Sequence, residues 1–209
     1  MDTNFFQQKY PIIRLKKKIV IIINGKGGAG KDTVCAIAAK FYKAKNISAI
    51  TPIKEIAATF GWNGEKDSRA RKFLSDLKRT FIDYNDLPNT YLEEEYLKFE
   101  QSDDDILFVH IRENDQIDDF KRRIKLKCVT MIVRSTKIDN SEMLYGNYSD
   151  DHVEDYKYDY YYTNGKPLNV LVPDFMDFLY ELFNEEGVSL DENAEDLPWR
   201  TDVHICGCN

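Results

Sequence analysis

The sequence predicts an α/β domain with a five-stranded, mostly parallel sheet covered by helices on both faces. Three observations predict it. Short apolar runs rich in β-branched residues, Ile19–Ile23, Ile106–Ile111 and Cys128–Val133, read as strands buried on both sides. Segments with apolar residues at helical spacing separate these runs, and strands alternating with helices imply parallel pairing through right-handed crossovers. The first run is followed at once by Gly25, Gly27, Gly28 and Gly30 and then by good helix formers, a strand–loop–helix unit.

Residues 1–18, with Pro11 and the basic run Lys16–Lys18, read as a lead-in to the first strand, the run being a solvated strand start. A first helix is expected over about 32–45, with Val34, Ala38 and Phe41 on one stripe. Residues 46–51 read as a second strand, and Pro52 opens a short helix ending near Gly61. Asp67 and Ser68 are cap candidates for a helix over about 69–84, whose inner stripe is Leu74, Leu77 and Phe81. Asn85–Asn89 breaks it, and 91–101 is helical again. After the strand at 106–111, an amphipathic helix over 114–125 turns Ile117, Phe120 and Ile124 inward. The strand at 128–133 ends in Arg134, and the polar stretch 135–155 reads as a lid-like connection. Residues 158–163 are a fifth strand, stopped by Asn164-Gly165, and Pro173 and Asp174 open a last helix through Phe183. Residues 184–209 read as an acidic tail packed on the surface.

A chain of 209 residues with 43% hydrophobic and 31% charged residues is long enough for one sizeable core. No apolar run approaches a membrane span, and the first residues lack the pattern of a signal peptide. Four scattered cysteines do not make a disulfide scaffold, so Cys35 and Cys128 read as core thiols and a reducing, cytoplasmic location is expected. The net charge of −7 is uneven: residues 1–80 balance at +11 and residues 81–209 at −18. The basic half carries the glycine loop and would attract a small anion, unless the asymmetry is only solvated helix faces, and the acidic half argues against a nucleic-acid surface.

Gly25-x4-Gly30-Lys31 matches the spacing of a phosphate-binding loop. Its glycines let backbone N–H groups converge on one anion, the following helix offers its positive N-terminal end, and Lys31 adds a mobile charge for the outer phosphates. The departure is Asp32, which stands where a Ser or Thr usually ligates Mg²⁺, with Thr33 one residue later. Asp32 is also a candidate helix-start cap, and the two roles are compatible. By the rule that ligands bind beyond the carboxyl ends of parallel strands, Gly25–Thr33, Lys54, Arg112, Arg134 and Asn164 share one edge.

Gly25-Lys-Gly-Gly-Ala-Gly-Lys-Asp-Thr33 resembles the loop of deoxynucleoside monophosphate kinases and phosphomevalonate-type kinases, in which Gly-Lys-Asp replaces Gly-Lys-Ser/Thr. The order of elements over residues 18–183 is similar to the nucleoside monophosphate kinase (adenylate kinase-like) family, and Tyr158–Leu168 resembles its late strand and Asn-containing turn. The resemblance implies a three-layer P-loop kinase domain over 1–183, with an acceptor-binding insertion at about 54–101. It implies ATP and Mg²⁺ as cofactors, a small nucleotide as substrate, and a monomer or homodimer away from any membrane. Asn24, Gly25, Lys26, Gly27, Gly28, Ala29, Gly30, Lys31, Asp32 and Thr33 would hold ATP, with Arg134 and Asn164 on the donor side. Asp32 and Thr33 would organise the metal, Lys54, Arg71, Lys78 and Arg112 the acceptor, and Lys31, Asp32 and Arg112 would serve the transfer itself. The chain departs from the family in lacking an Arg-rich lid, 135–155 offering only Lys137, and in lacking an Asp in the strand 106–111.

Arg69 stands with the acceptor-side cations but reads first as a solvated helix charge, Arg122 and Arg123 are donor-side or lid candidates without a supporting position, and Glu113 reads as a surface ion-pair partner. His204, Cys206 and Cys208 are soft-metal ligand types but form no second cluster, while His110 and His152 have no neighbouring Cys or Ser that would suggest nucleophilic catalysis. Two readings compete with a kinase: a P-loop regulator or NTPase without a small acceptor, and a nucleotide-binding module without catalysis. The insertion favours the kinase, and the Asp32 substitution keeps the third open.

Overall fold

Five strands, β1 (Ile19–Asn24), β2 (Ala44–Ser48), β3 (Ile106–His110), β4 (Cys128–Ser135) and β5 (Tyr160–Asn164), form one sheet in the order β2-β3-β1-β4-β5 in this computed structural model. Residues 11–65, 67–136, 152–190 and 197–201 are described. Every pairing is parallel, with Ile19 opposite Ile106 and Val20 opposite Cys128, so β1 is bonded on both edges and all carboxyl ends lie on one side. The α/β class expected from the sequence holds, with a fully parallel sheet.

The helices are α1 (Lys31–Phe41), α2 (Thr51–Thr59), α3 (Ser68–Asn85), α4 (Leu87–Gln101), α5 (Asn114–Arg123), α6 (Leu168–Glu185) and the short α7 (Pro198–Thr201). Side chains of a strand alternate between faces. Ile19, Ile21 and Ile23 therefore meet α1 and α6 through Val34, Ile37, Phe41, Phe175 and Leu179. Val20 and Ile22 meet α4 and α5 through Leu92, Phe99, Ile117 and Phe120. A third, smaller apolar cluster, Ile53, Ala57 and Leu74, belongs to α2 and α3. No helix among the described residues is long and apolar enough to cross a membrane.

Several boundaries differ from expectation for physical reasons. α1 stops at Phe41 because Tyr42 turns extended (φ −123°, ψ 156°) and Ala44–Ser48 pair with β3 as an edge strand. α4 begins at Leu87, not Tyr91, because Pro88 sits in its first turn, where a missing N–H leaves no hydrogen bond unmade. Only Asp86 separates α3 from α4; it adopts φ 57° and accepts from Asn89 Nδ2 at 2.6 Å and Arg123 Nη2 at 2.7 Å. α6 begins at Leu168, so Pro173 lies inside the helix rather than opening it.

Beyond α6, Val188, Leu190, Leu197 and Trp199 are buried in the same cluster as α1, and Leu190 bridges to Leu15. These residues complete a core face rather than coat the surface. Lys18, read as solvated, donates to the carbonyls of Phe99 (2.9 Å), Ser102 (2.6 Å) and Asp104 (2.8 Å) and so closes the end of α4. Arg14 grips Asp105 through Nε at 2.7 Å and Nη2 at 3.0 Å. Part of the basic excess of the first 80 residues is thus structural. Lys137 and most of the lid-like stretch (137–151), together with His204, Cys206 and Cys208, lie outside the described residues.

Candidate phosphate-binding cleft

β1 ends in Asn24, a fully buried polar residue. Its Nδ2 donates to the Arg112 carbonyl at 3.1 Å and to Tyr158 Oη at 2.7 Å, and its Oδ1 accepts from the Gly25 N–H at 2.8 Å. Those bonds occupy the side chain in fixing the start of the loop. Gly25 has φ 144° and lies against the Val133 carbonyl, where a Cβ would collide. Gly30, at φ 92°, makes the left-handed step into α1 and lies against Asn164. Asn164 Nδ2 donates to the Ala29 carbonyl at 3.0 Å, so the loop is braced from β5 as well as from β1. Lys31 folds back, donating to the Gly25 carbonyl and, at 3.1 Å, to that of Lys26.

The loop opens into a cleft of about 730 Å³. Gly27, Gly28, Gly30, Lys31, Asp32 and Thr33 form one wall, and Lys54, Trp62, Arg71, Ser75 and Lys78 of the α2–α3 segment form the other. His110, Arg112 and Glu113, at the end of β3, line it between them. Arg71 reaches across: a Cβ on Gly27 would come within 2.6 Å of its Nη1. Of the residues expected on the acceptor side, Lys54, Arg71 and Arg112 face this cleft. Lys78 lines it too, but is buried and donates to Glu113 Oε2, and burial lowers its pKa. Glu113, read as a surface partner, has a side chain only 11% exposed.

Arg134 does not line the cleft. It pairs with Glu154 (Nη2 to Oε2, 2.7 Å) and lies over the Tyr161 ring at 5.0 Å. Arg69 is exposed outside the cleft wall, Arg122 pairs with Asp119 at 3.0 Å, and Arg123 secures the α3–α4 junction through Asp86.

Asp32 and Thr33 are exposed on the first turn of α1, whose cap position is Gly30 rather than Asp32. Among the described residues no group of three His, Cys, Asp or Glu could hold a metal by itself. One carboxylate and one hydroxyl on a single helix turn fit Mg²⁺ only as part of its shell, with water or ligand oxygens completing it.

Sequence reasoning set His110 aside and overlooked Trp62 and Ser75 as cleft residues. His110 has a cysteine neighbour in space: Cys35 Sγ lies 3.9 Å from its Nε2, and Asn46 Oδ1 lies at 3.5 Å. Burial pushes the thiol pKa up and the imidazole down to about 4, so both are neutral and do not form a thiolate–imidazolium pair. The available signal was position: His110 ends a strand on the same edge as Arg112.

No protein-family model matches the chain, and no curated protein matches it with significance. Among solved structures, a protein from Chloroflexus aurantiacus j-10-fl assigned as a kinase superposes with a TM-score of 0.45 at 10% identity, over 80% of this chain and 98% of that one. A gluconokinase from Sinorhizobium meliloti 1021 gives a TM-score of 0.45 at 14% identity, over 82% of this chain and 96% of its own. Superposition at that level assigns neither substrate nor residue roles.

Proposed function

We propose that the chain is an ATP-dependent phosphotransferase acting on a small phosphorylated acceptor, with a nucleoside or deoxynucleoside monophosphate as the best-matched class. The observation that carries this reading is that the glycine loop and a second set of cations, Lys54, Arg71 and Arg112, open into one cleft. Phosphoryl transfer needs positioning and charge neutralisation more than covalent chemistry. The loop amides and the start of α1 hold the outer phosphates of ATP. Lys31 exchanges its contacts with the Gly25 and Lys26 carbonyls for phosphate oxygens. Lys54 and Arg112 hold the acceptor phosphate, Arg suiting two-pronged contact with it. Arg71, lying against Gly27, stands between the two phosphates. Mg²⁺, held through Asp32 and Thr33, supplies further neutralisation when bound. A hydroxyl acceptor would need Asp32 or Glu65 as its base, because His110, near pKa 4, and Glu113, bound to Lys78, are poorly suited to take a proton. A phosphate-monoester oxygen is already anionic at neutral pH and needs no base. The unit doing this is a single domain whose acceptor side is the segment 54–101.

The test is ATP turnover by the purified protein with a panel of nucleoside monophosphates, with gluconate as a hydroxyl acceptor, and with Lys31→Ala as control. Turnover raised at least tenfold by a monophosphate and lost in a folded Lys31→Ala protein supports the reading. Stimulation by gluconate alone, or by nothing, overturns it.

A further inference from the structure

We propose that Lys78 and Glu113 are positioning residues, forming a buried ionic latch that fastens the α2–α3 segment to the end of β3 and sets Arg112 in the cleft. Both side chains line the cleft yet are nearly inaccessible, 6% exposed for Lys78 and 11% for Glu113, and Lys78 Nζ donates to Glu113 Oε2. A cation serving mainly as a ligand contact would be expected to keep its ammonium open to the cleft. Here burial takes Lys78 out of water and the carboxylate beside it compensates.

The segment this pair fastens has its own small apolar cluster, Ile53, Ala57 and Leu74, separate from the two clusters on the sheet faces. Apolar burial ties α2 and α3 to each other and, through Leu87, to α4, so the Lys78–Glu113 pair adds a direct tie from α3 to the β3 end. The contact also continues inward. Glu113 follows Arg112, whose carbonyl accepts from Asn24 Nδ2 at 3.1 Å, and Asn24 Oδ1 accepts from the Gly25 N–H at 2.8 Å. One bonded line thus runs from the phosphate loop through the backbone of Arg112 to the middle of α3. Movement of α3 and placement of Arg112 are linked by it.

The kinetic arm of the test rests on the phosphotransferase reading; the exchange arm does not. Lys78→Met, Glu113→Gln and the double variant are compared with wild type by hydrogen exchange over α3 (68–85) and β1, and by acceptor and ATP KM. A latch predicts that both single variants lose amide protection in α3 while β1 keeps it. It predicts that acceptor KM rises tenfold or more with ATP KM within twofold. The double variant should be no worse than either single, because a latch can be opened only once. If a single variant fails to fold, the double, which strands no charge, carries the exchange comparison alone. Glu113→Gln with wild-type α3 protection and acceptor KM, beside a Lys78→Met protein with raised KM, overturns the latch and makes Lys78 a direct acceptor contact. Loss of α3 protection in a protein that transfers phosphate to no acceptor leaves the latch standing and removes the kinase reading. Unchanged protection overturns the latch whatever the activity.

Discussion

Asp32 and His110 both line the cleft, and water treats them differently. Asp32 is exposed on the first turn of α1, where a carboxylate interacts favourably with the helix dipole and remains accessible to a metal. Asp32→Asn should raise the Mg²⁺ concentration for half-maximal rate several-fold, and Asp32→Ser should recover part of the loss. Equal Mg²⁺ dependence in all three proteins would reduce Asp32 to a helix-start residue. His110 is half-buried, and desolvation lowers its pKa from 6.5 to about 4; Asp32 opposes the shift, while Lys31, Arg112 and Lys54 add to it. Between those values the unfolded chain binds a proton that the folded chain refuses, so this group's contribution to stability is full above 6.5 and falls as pH drops toward 4. The shift corresponds to roughly 3 kcal/mol. Denaturant titrations from pH 7 to 4 should therefore show wild type losing about that much more stability than His110→Gln. Parallel curves for the two proteins would refute the shift.

At the scale of elements, what the sequence revealed was what neighbouring residues decide. Ile19–Ile23 and the glycines after it are contiguous, so β1, the loop and the start of α1 could be read directly. β2 was placed too late because Ala44-Lys45-Asn46 has little strand preference of its own; pairing with Ile106–His110 imposes it. The partners of Lys78, Arg134 and Cys35 come from other elements, so no local pattern announces them. Glu113 is 35 positions from Lys78, and His110 is 75 from Cys35. Pro173 misled for the opposite reason: its rule for helix starts is sound, but α6 begins at Leu168 and tolerates it. That tolerance leaves a testable cost. Pro173 has no N–H for the Asn169 carbonyl, and its ring crowds the preceding turn. Pro173→Ala should stabilise the protein by about 1–3 kcal/mol, read as a higher denaturation midpoint with an unchanged m-value. No gain would mean that packing of the ring against its neighbours offsets the missing bond.

At the scale of the whole molecule, the two ends of α1 do different work. Its N-terminus faces the cleft, and its C-terminus, about 15 Å away for a helix of this length, is buried under chain that follows α6. Trp199 is 2% exposed, packs edge-on against Phe41 at 5.5 Å between ring centres, and lies 6.3 Å from Tyr42. Its Nε1 donates to Asp177 at 3.0 Å, and Arg200 Nε reaches the same oxygen at 2.7 Å. A short segment near the end of the chain thus seals the core face on which α1 rests. Trp199→Ala should cost about 3–5 kcal/mol, the range for emptying a large buried aromatic site. Trp199→Phe should cost distinctly less, because most of the apolar contact with Phe41 survives and Arg200 still partners Asp177. Because the lesion lies at the far end of α1, ATP-dependent turnover per folded molecule should stay at the wild-type level below the midpoint. Chemical denaturation of the three proteins, followed by tryptophan-independent circular dichroism, measures the first effect, and turnover at a temperature where all remain folded measures the second. Stability within 1 kcal/mol of wild type for Trp199→Ala would show that the segment is an appendage. Loss of turnover without loss of stability would show that the two ends of α1 are coupled.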